Sequence, residues 1–480
     1  MTTQPTRPET AAAVEAARPG SGSAAADTAP PAPLAGGVER VPKRVIAAFN
    51  LPTVGVGYMF LLVNMYLMKF ATDELLISPS AMGLIFGLSR IWDAVTDPVA
   101  GYLSDRTSSR LGRRRPWILA SVIPIGAAFF MVWNPPATLE GGWTIAWMTV
   151  GIFLFYSAMT IFVVPHTSLG AELSVDHHER TRIFGVRHVT WTFGSFLAVV
   201  GMAVLIGADD PRATASWLSI VAVIATVAML VWMVLGVGER AEYQGRGEHD
   251  PLKAFADVVR NPHALLLLVV FLIESVGGAT ITVLTAYVAE YIVHTPEYTA
   301  YYILLYMIPS ALTVPMWVWV SRRIGKKRLW ILSTIFTALG FGAMMFLTEG
   351  AVALISILAF LLGTGAGAGA VVAPSIQADV IDYDELETGQ RKEGAYFAAW
   401  NFVFKTATGI TLMLTGVVLD AAGFVPNATQ TSSAKTALLV LYALFPLGCY
   451  LVGAAILTRF RLDETEHARI RAALDARERA

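Results

Sequence analysis

Residues Arg90–Leu119 read RIWDAVTDPVAGYLSDRTSSRLGRRRPWIL. An apolar segment here carries two carboxylates, Asp93 and Asp97, four residues apart, with Arg90 three residues before the first. On a helix all three project from one face. A basic loop follows and runs directly into a second apolar segment. In hydrocarbon each such charge costs about 2.5–3.5 kcal/mol at the bilayer centre, so the reading of the chain turns on whether this stretch crosses a membrane.

The composition says that it does. Hydrophobic residues make up 55% and charged residues 15% of the 480, against about 25% charged in a typical soluble domain. The formal net charge of -1 provides no basic surface for nucleic acid. Cys449 is the only cysteine, which excludes an intramolecular disulfide and a cysteine metal cluster. No Walker loop or HExxH motif is present, so no enzyme activity is expected. Residues 1–40, rich in Ala, Pro, Thr and Gly, read as a disordered cytoplasmic tail without the features of a secretory signal.

About 20 apolar residues cross roughly 30 Å of hydrocarbon. Twelve such windows follow one another, near 45–69, 80–104, 116–136, 143–168, 186–208, 214–237, 264–292, 299–320, 329–347, 350–378, 394–420 and 435–459. The expected fold is an all-α integral membrane protein with twelve transmembrane helices. An N-terminal six-helix half spans 41–237 and a C-terminal half 263–461. A cytoplasmic linker, 238–262, joins them; its LKAFADVVRNP portion suits an amphipathic surface helix. A charged cytoplasmic helix, 462–480, ends the chain. Lys and Arg concentrate in one set of loops, so both termini are expected in the cytoplasm of a multi-pass cell (inner) membrane protein. RLGRRRPWIL from Arg110 recurs as RIGKKRLWIL from Arg323, at the start of the third span of each half. Two parallel six-helix halves describe the major facilitator architecture, with substrate bound near the midplane between them.

The run Gly101-Tyr-Leu-Ser-Asp105-Arg106, followed by Arg110, Gly112, Arg113, Arg114 and Arg115, resembles the loop signature between the second and third helices of the major facilitator superfamily. More narrowly, RIWDAVTDP, GRRRPWIL, VPHTSLGAELSVDHHERTR, ADVIDYDELETGQRKEG and Lys405 resemble the glycoside-pentoside-hexuronide:cation symporters, the group of melibiose permease. The resemblance covers Val45 to Arg461. It implies that Asp93 and Asp97 take part in binding the coupling cation, a proton or sodium. It also makes Lys405 the family's eleventh-helix lysine and puts Arg187 close to a fifth-helix arginine that contacts sugar. The chain departs from that pattern where the family's first-helix Asp, fourth-helix Asp and tenth-helix Trp fall at Gly57, near Val163 and at Ala370. Animal lysophospholipid transporters share the second-helix carboxylates and the lysine.

On the residues themselves, two carboxylates one helical turn apart can present several oxygens to one hard cation, or raise each other's proton affinity. Asp93 and Asp97 are therefore the cation-coupling pair, and metal ligands only if the ion is sodium. The other reading of the pair is a neutral structural network with Arg90 and Lys405. Lys405, in mid-span, needs a carboxylate partner, and Arg187 could donate bidentate hydrogen bonds. Glu274 lies inside the seventh span beside Ser275, Gly277 and Gly278, placed to line a cavity. Asn64, Trp92, Thr160, Trp191, Tyr396, Trp400 and Asn401 supply the flat faces and hydrogen-bonding groups of a sugar site. Gly101, Asp105, Arg106, Arg110, Gly112, Arg113 and Arg114 are expected to form a latch at the cytoplasmic ends of the halves, the arginines pairing with Asp379 and Asp382. The expected activity is cation-coupled symport of a sugar, glycoside or related small solute by a monomer with no cofactor. A lysophospholipid-like substrate and a non-transporting solute sensor are the alternatives.

Overall fold

The computed structural model describes residues 40–174, 177–239, 256, 258–389, 393–462 and 464–479. The N-terminal tail, most of the linker, and Arg391 and Lys392 lie outside these residues, as does the side chain of Asp105.

The described residues fold as helices. In chain order they are α1 (Lys43–Asn50), α2 (Pro52–Met65), α3 (Leu67–Asp73), α4 (Pro79–Arg106), α5 (Arg115–Trp133), α6 (Gly142–Glu172), α7 (His177–Ile206) and α8 (Pro211–Gly236). Then come α9 (Pro262–Tyr291), α10 (Thr299–Leu312), α11 (Val314–Ile324), α12 (Lys326–Ala343), α13 (Val352–Thr388), α14 (Glu393–Ala421), α15 (Ser432–Leu439), α16 (Phe445–Leu457) and α17 (Glu464–Arg479). The starts follow local chemistry. Ser78, Asp210 and Asn261 accept backbone hydrogen bonds as N-caps, and each is followed by a proline at the first helical position.

Among the described residues, ten helical stretches are long and apolar enough to cross a membrane. An eleventh candidate, residues 296–324, is bent by 49° at Thr313, between Pro309 and Pro315. Helix α4 has 28 residues but falls outside that group, because Arg90, Asp93 and Asp97 interrupt its apolar character. The chain is a multi-pass membrane protein. The main difference from the sequence expectation is α13. Its 37 residues run past the expected end at 378, so Asp379 and Asp382 ride on its last turns rather than in a loop.

Neighbour relations recur along the chain. Helix α5 packs on α6 and α8, and α2 on α7; later, α12 packs on α13 and α16, and α9 on α14. The two copies of the basic repeat do matching mechanical work. Arg113 pairs with Glu172 at 2.6 Å, and Lys326 with Asp379 at 2.7 Å. Arg115 Nε donates to the Val234 carbonyl at the end of α8 (3.1 Å), and Lys327 Nζ donates to the Thr458 carbonyl just past α16 (3.0 Å). Each copy thus ties the start of one span to the free carbonyls of another, where a cation is favourable. Gly112 has φ 104°, and the carboxylate of Glu239 fills the space beside it, accepting from the N–H groups of Arg113, Arg114 and Arg115 at 2.5–2.7 Å.

At the end away from the basic loops, α3 and α4 are fastened to the later helices. Lys69 pairs with Asp73 at 2.5 Å and with Glu290 on α9. The Thr72 and Tyr287 hydroxyls lie 3.0 Å apart, Tyr291 donates to Asp73 Oδ1 at 3.2 Å, Asn427 donates to the Asp73 carbonyl at 2.7 Å, and Ser80 to Asp420 at 2.6 Å. Toward the basic end the side chains of Val99, Tyr102 and Leu103 on α4, and of Phe397 on α14, are exposed.

Candidate functional site

Helices α4 and α14 come together through small residues, with Gly83 on one and Gly409 and Gly416 on the other leaving no room for a Cβ. That approach assembles a four-charge group. Arg90, 3% exposed, donates Nη1 to Asp93 Oδ2 at 3.3 Å and Nη2 to Asn64 Oδ1 and to the Tyr156 hydroxyl (2.7 Å); its guanidinium also lies 4.1 Å from the centre of the Tyr156 ring. Lys405, from α14, puts its ammonium 2.5 Å from Asp97 Oδ2 and 3.5 Å from Asp93 Oδ2. Thr160 on α6 donates to Asp97 Oδ1 at 2.7 Å. Two cations and two anions make a neutral package, the arrangement in which buried charges can persist. Two atoms are left over: among the described residues neither Arg90 Nε nor Asp93 Oδ1, both buried, has a hydrogen-bond partner.

Arg90 depends on Gly409. A Cβ at that position would lie 2.4 Å from Arg90 Cγ and 2.6 Å from its Cβ. Gly409→Ala is expected to displace Arg90 and lower solute uptake at least tenfold. Gly448→Ala, where nothing lies within 4 Å of the added atom, is the matched control. Equal uptake by the two variants would show that the position of Arg90 is immaterial.

Beside the package lies a cavity of about 400 Å³, lined by Asn64, Arg90 and Lys405 and, on its other wall, by Glu274 of α9. Glu274 Oε2 accepts from Trp330 Nε1 and Oε1 from the Thr334 hydroxyl, both at 3.0 Å. Phe60, Phe271, Tyr306 and Phe404 give the cavity flat apolar faces.

Of the residues expected from sequence, Asp93, Asp97, Lys405, Thr160 and Asn64 meet in one place, and Glu274 faces the same cavity. Others do not join them. Trp92 is exposed and donates to Ser157 at 2.7 Å, away from the cavity lining. Tyr396 is wholly buried, with its hydroxyl accepting from Asn261 at the cap of α9, a structural position. Trp400 packs against Phe271, behind the lining, and Asn401 is exposed. Arg187 is half-buried, its Nε lacks a hydrogen-bond partner, and it does not line the cavity. Several of the expected latch residues have described partners close by. Arg113 and Arg114 meet Glu172, Asp379 meets Lys326, and Asp382 meets His467 of α17 at 3.0 Å. Arg106 lies over the ring of Tyr102, and Arg110 is exposed.

The family departures have structural counterparts. At Gly57 a Cβ would lie 2.7 Å from the Trp191 carbonyl, so no acidic side chain fits there. Val163 is packed among apolar neighbours, and Ala370 is exposed, outside the cavity lining. Tyr156, Gly409, Trp330 and Thr334 belong to the site without a signal in the sequence. Each is an ordinary residue of an apolar run, and only helix packing gives it a partner.

Known proteins resemble the chain in sequence and in fold. A family model described as MFS/sugar transport protein matches residues 48–464. The isoprimeverose transporter of Lactiplantibacillus pentosus is 26% identical over 432 residues, covering 87% of this chain and 88% of that protein. The sodium-dependent lysophosphatidylcholine symporter 1-A of Danio rerio is 26% identical over 442 residues, 84% of this chain and 82% of its own length. Among solved structures, a D-xylose-proton symporter matches in fold with a TM-score of 0.64 at 13% identity, over 88% of this chain and 98% of that one.

Proposed function

Since the chain belongs to the MFS/sugar transport protein family, we propose that it is a cation-coupled symporter that moves a sugar, glycoside or related small solute by alternating access. The observation that carries this reading is the neutral group Arg90–Asp93–Lys405–Asp97, whose lysine comes from a different set of spans than its acids. A proton or sodium ion arriving at Asp93 and Asp97 competes with the Lys405 ammonium for the same oxygens. The unpartnered Asp93 Oδ1 is a ready acceptor for it. No cofactor takes part; the ion is cargo.

Ion occupancy thereby acts on the contact between α4 and α14. A ligand shifts a conformational equilibrium only through its differential affinity for the two states. Here the differential comes from Lys405. When the halves are joined at this level the ammonium holds the acids; when they part, the acids are free for the ion. Solute bound in the adjoining cavity completes the charge and contact balance that permits the return step. One positive charge moving down about 100 mV supplies about 2.3 kcal/mol, enough for roughly 50-fold accumulation.

Uptake by proteoliposomes with imposed sodium or proton gradients tests the reading. Neutral pentosides and hexosides, isoprimeverose among them, are expected to accumulate against their gradient with one of the two ions and to equilibrate when it is collapsed. Accumulation that survives collapse of both gradients, or binding without any flux, would overturn it.

A further inference from the structure

Across the cavity from the ion-pair group, Glu274 is in a different electrostatic position. Arg90 and Lys405 also line the cavity, but Asp93 and Asp97 neutralise them. No lysine or arginine among the described residues pairs with Glu274. Its oxygens are instead steadied from α12 by two neutral donors, Trp330 and Thr334. On the facing helix Gly453 makes the room, since a Cβ there would lie 2.9 Å from Glu274 Cγ. A carboxylate offers about four lone-pair sites. Two are used by the scaffold, which leaves acceptor capacity on a side chain that faces the cavity.

The surrounding surface narrows what can use it. Ser275, Thr282, Ser333, Thr337 and Thr408 all line the cavity, and each hydroxyl both donates and accepts. A sugar hydroxyl does the same, and the apolar face of a sugar ring suits the aromatic walls. A quaternary ammonium would find the carboxylate and the rings but has no use for the hydroxyls. A sugar acid would bring a second negative charge to a wall with no spare cation, in a setting where like charges are poorly screened.

We propose that Glu274, held by Trp330 and Thr334, is the acceptor for hydroxyl groups of an uncharged, polyhydroxylated substrate, and that its charge excludes sugar acids from this wall. This rests on the reading of the chain as a symporter of sugar-class solutes and specifies which members of that class it takes. Glu274 acts apart from Asp93 and Asp97: it selects the solute, while they handle the ion.

The test is the thermal unfolding midpoint of the purified protein, titrated with neutral pentosides and hexosides including isoprimeverose, with glucuronate, and with lysophosphatidylcholine. At least one neutral sugar is expected to stabilise the wild type, with glucuronate at least tenfold weaker. Glu274→Gln is expected to weaken the neutral sugar at least tenfold and to narrow its advantage over glucuronate. If Glu274→Gln binds the neutral sugar as the wild type does, or if glucuronate matches the neutral sugar on the wild type, the proposal fails and the sugar-symport reading stands. Stabilisation by lysophosphatidylcholine with no response to any sugar overturns both. Should Glu274→Gln not fold, Thr334→Val, which frees one carboxylate oxygen and keeps the charge, is measured in its place; unchanged affinity for the neutral sugar there also overturns the proposal.

Discussion

Asp97→Asn is expected to abolish ion-driven solute accumulation, a fall of roughly 50-fold that corresponds to about 2.3 kcal/mol of coupling, while exchange of solute across the membrane falls far less. The choice of residue matters. Asp93 serves both Arg90 and Lys405, so removing it strands a buried cation, at a cost of about 3–5 kcal/mol, and mixes a folding defect with a transport defect. Asp97 serves Lys405 and Thr160. Without its charge, Lys405 still has Asp93 at 3.5 Å, so the unfolding midpoint should stay close to that of the wild type. Parallel uptake and counterflow measurements in proteoliposomes distinguish the two activities, and full accumulation by this variant would remove the carboxylate pair from the coupling role.

The second large effect belongs to the opposite fastening. Lys69 is the only cation among the described partners of Asp73 and Glu290, and it joins α3 to α9. Lys69→Met leaves two carboxylates facing each other, one of them buried, and the cost of about 3–5 kcal/mol falls on the conformation in which they are held together. A shift of that size moves a two-state population by more than 100-fold. A Leu75→Cys reporter beside this cluster, in a Cys449→Ala background, is expected to react with maleimide at least tenfold faster when Lys69 is replaced by Met, and at the original rate when it is replaced by Arg. Cys449 is the one native cysteine, which keeps the reporter unambiguous. An unchanged labelling rate would mean that other contacts hold this end shut.

Much of the ion-pair group is legible before any coordinates. Asp93, Asp97 and Lys405 are charges inside apolar runs, and such runs leave few ways to keep a charge. Their meeting follows from energetic need, and Arg90 enters with them by helical spacing. The Lys69–Asp73 pair carries the same signature, an amine and an acid one turn apart, yet it sits at the end of its run, where charges are commonplace. What sequence spacing does not convey is rotation about a helix axis. Trp400 and Asn401 are on the same helix as Lys405, only one turn away, yet one packs behind the cavity wall and the other is exposed. Conversely, Trp330 and Thr334 read as ordinary members of an apolar segment until the position of α9 brings Glu274 against them. The length of α13 was hidden for a related reason. Its polar last turns look like a loop to a hydropathy window, whereas Gly389, with φ 69°, is the actual helix terminator.

The bridge between Lys405 and Asp97 spans 308 residues of chain, and this has a consequence for biogenesis. When α4 leaves the ribosome it carries Arg90, Asp93 and Asp97, one negative charge in excess, and the lysine that balances it has yet to be synthesised. Until α14 arrives, that excess must stay near water or be sheltered by the insertion machinery, since an unpaired charge at the bilayer centre is costly. Completion of the early part of the bundle is therefore tied to translation of the late part: the charges that would power the working transporter also set the order in which it can be assembled.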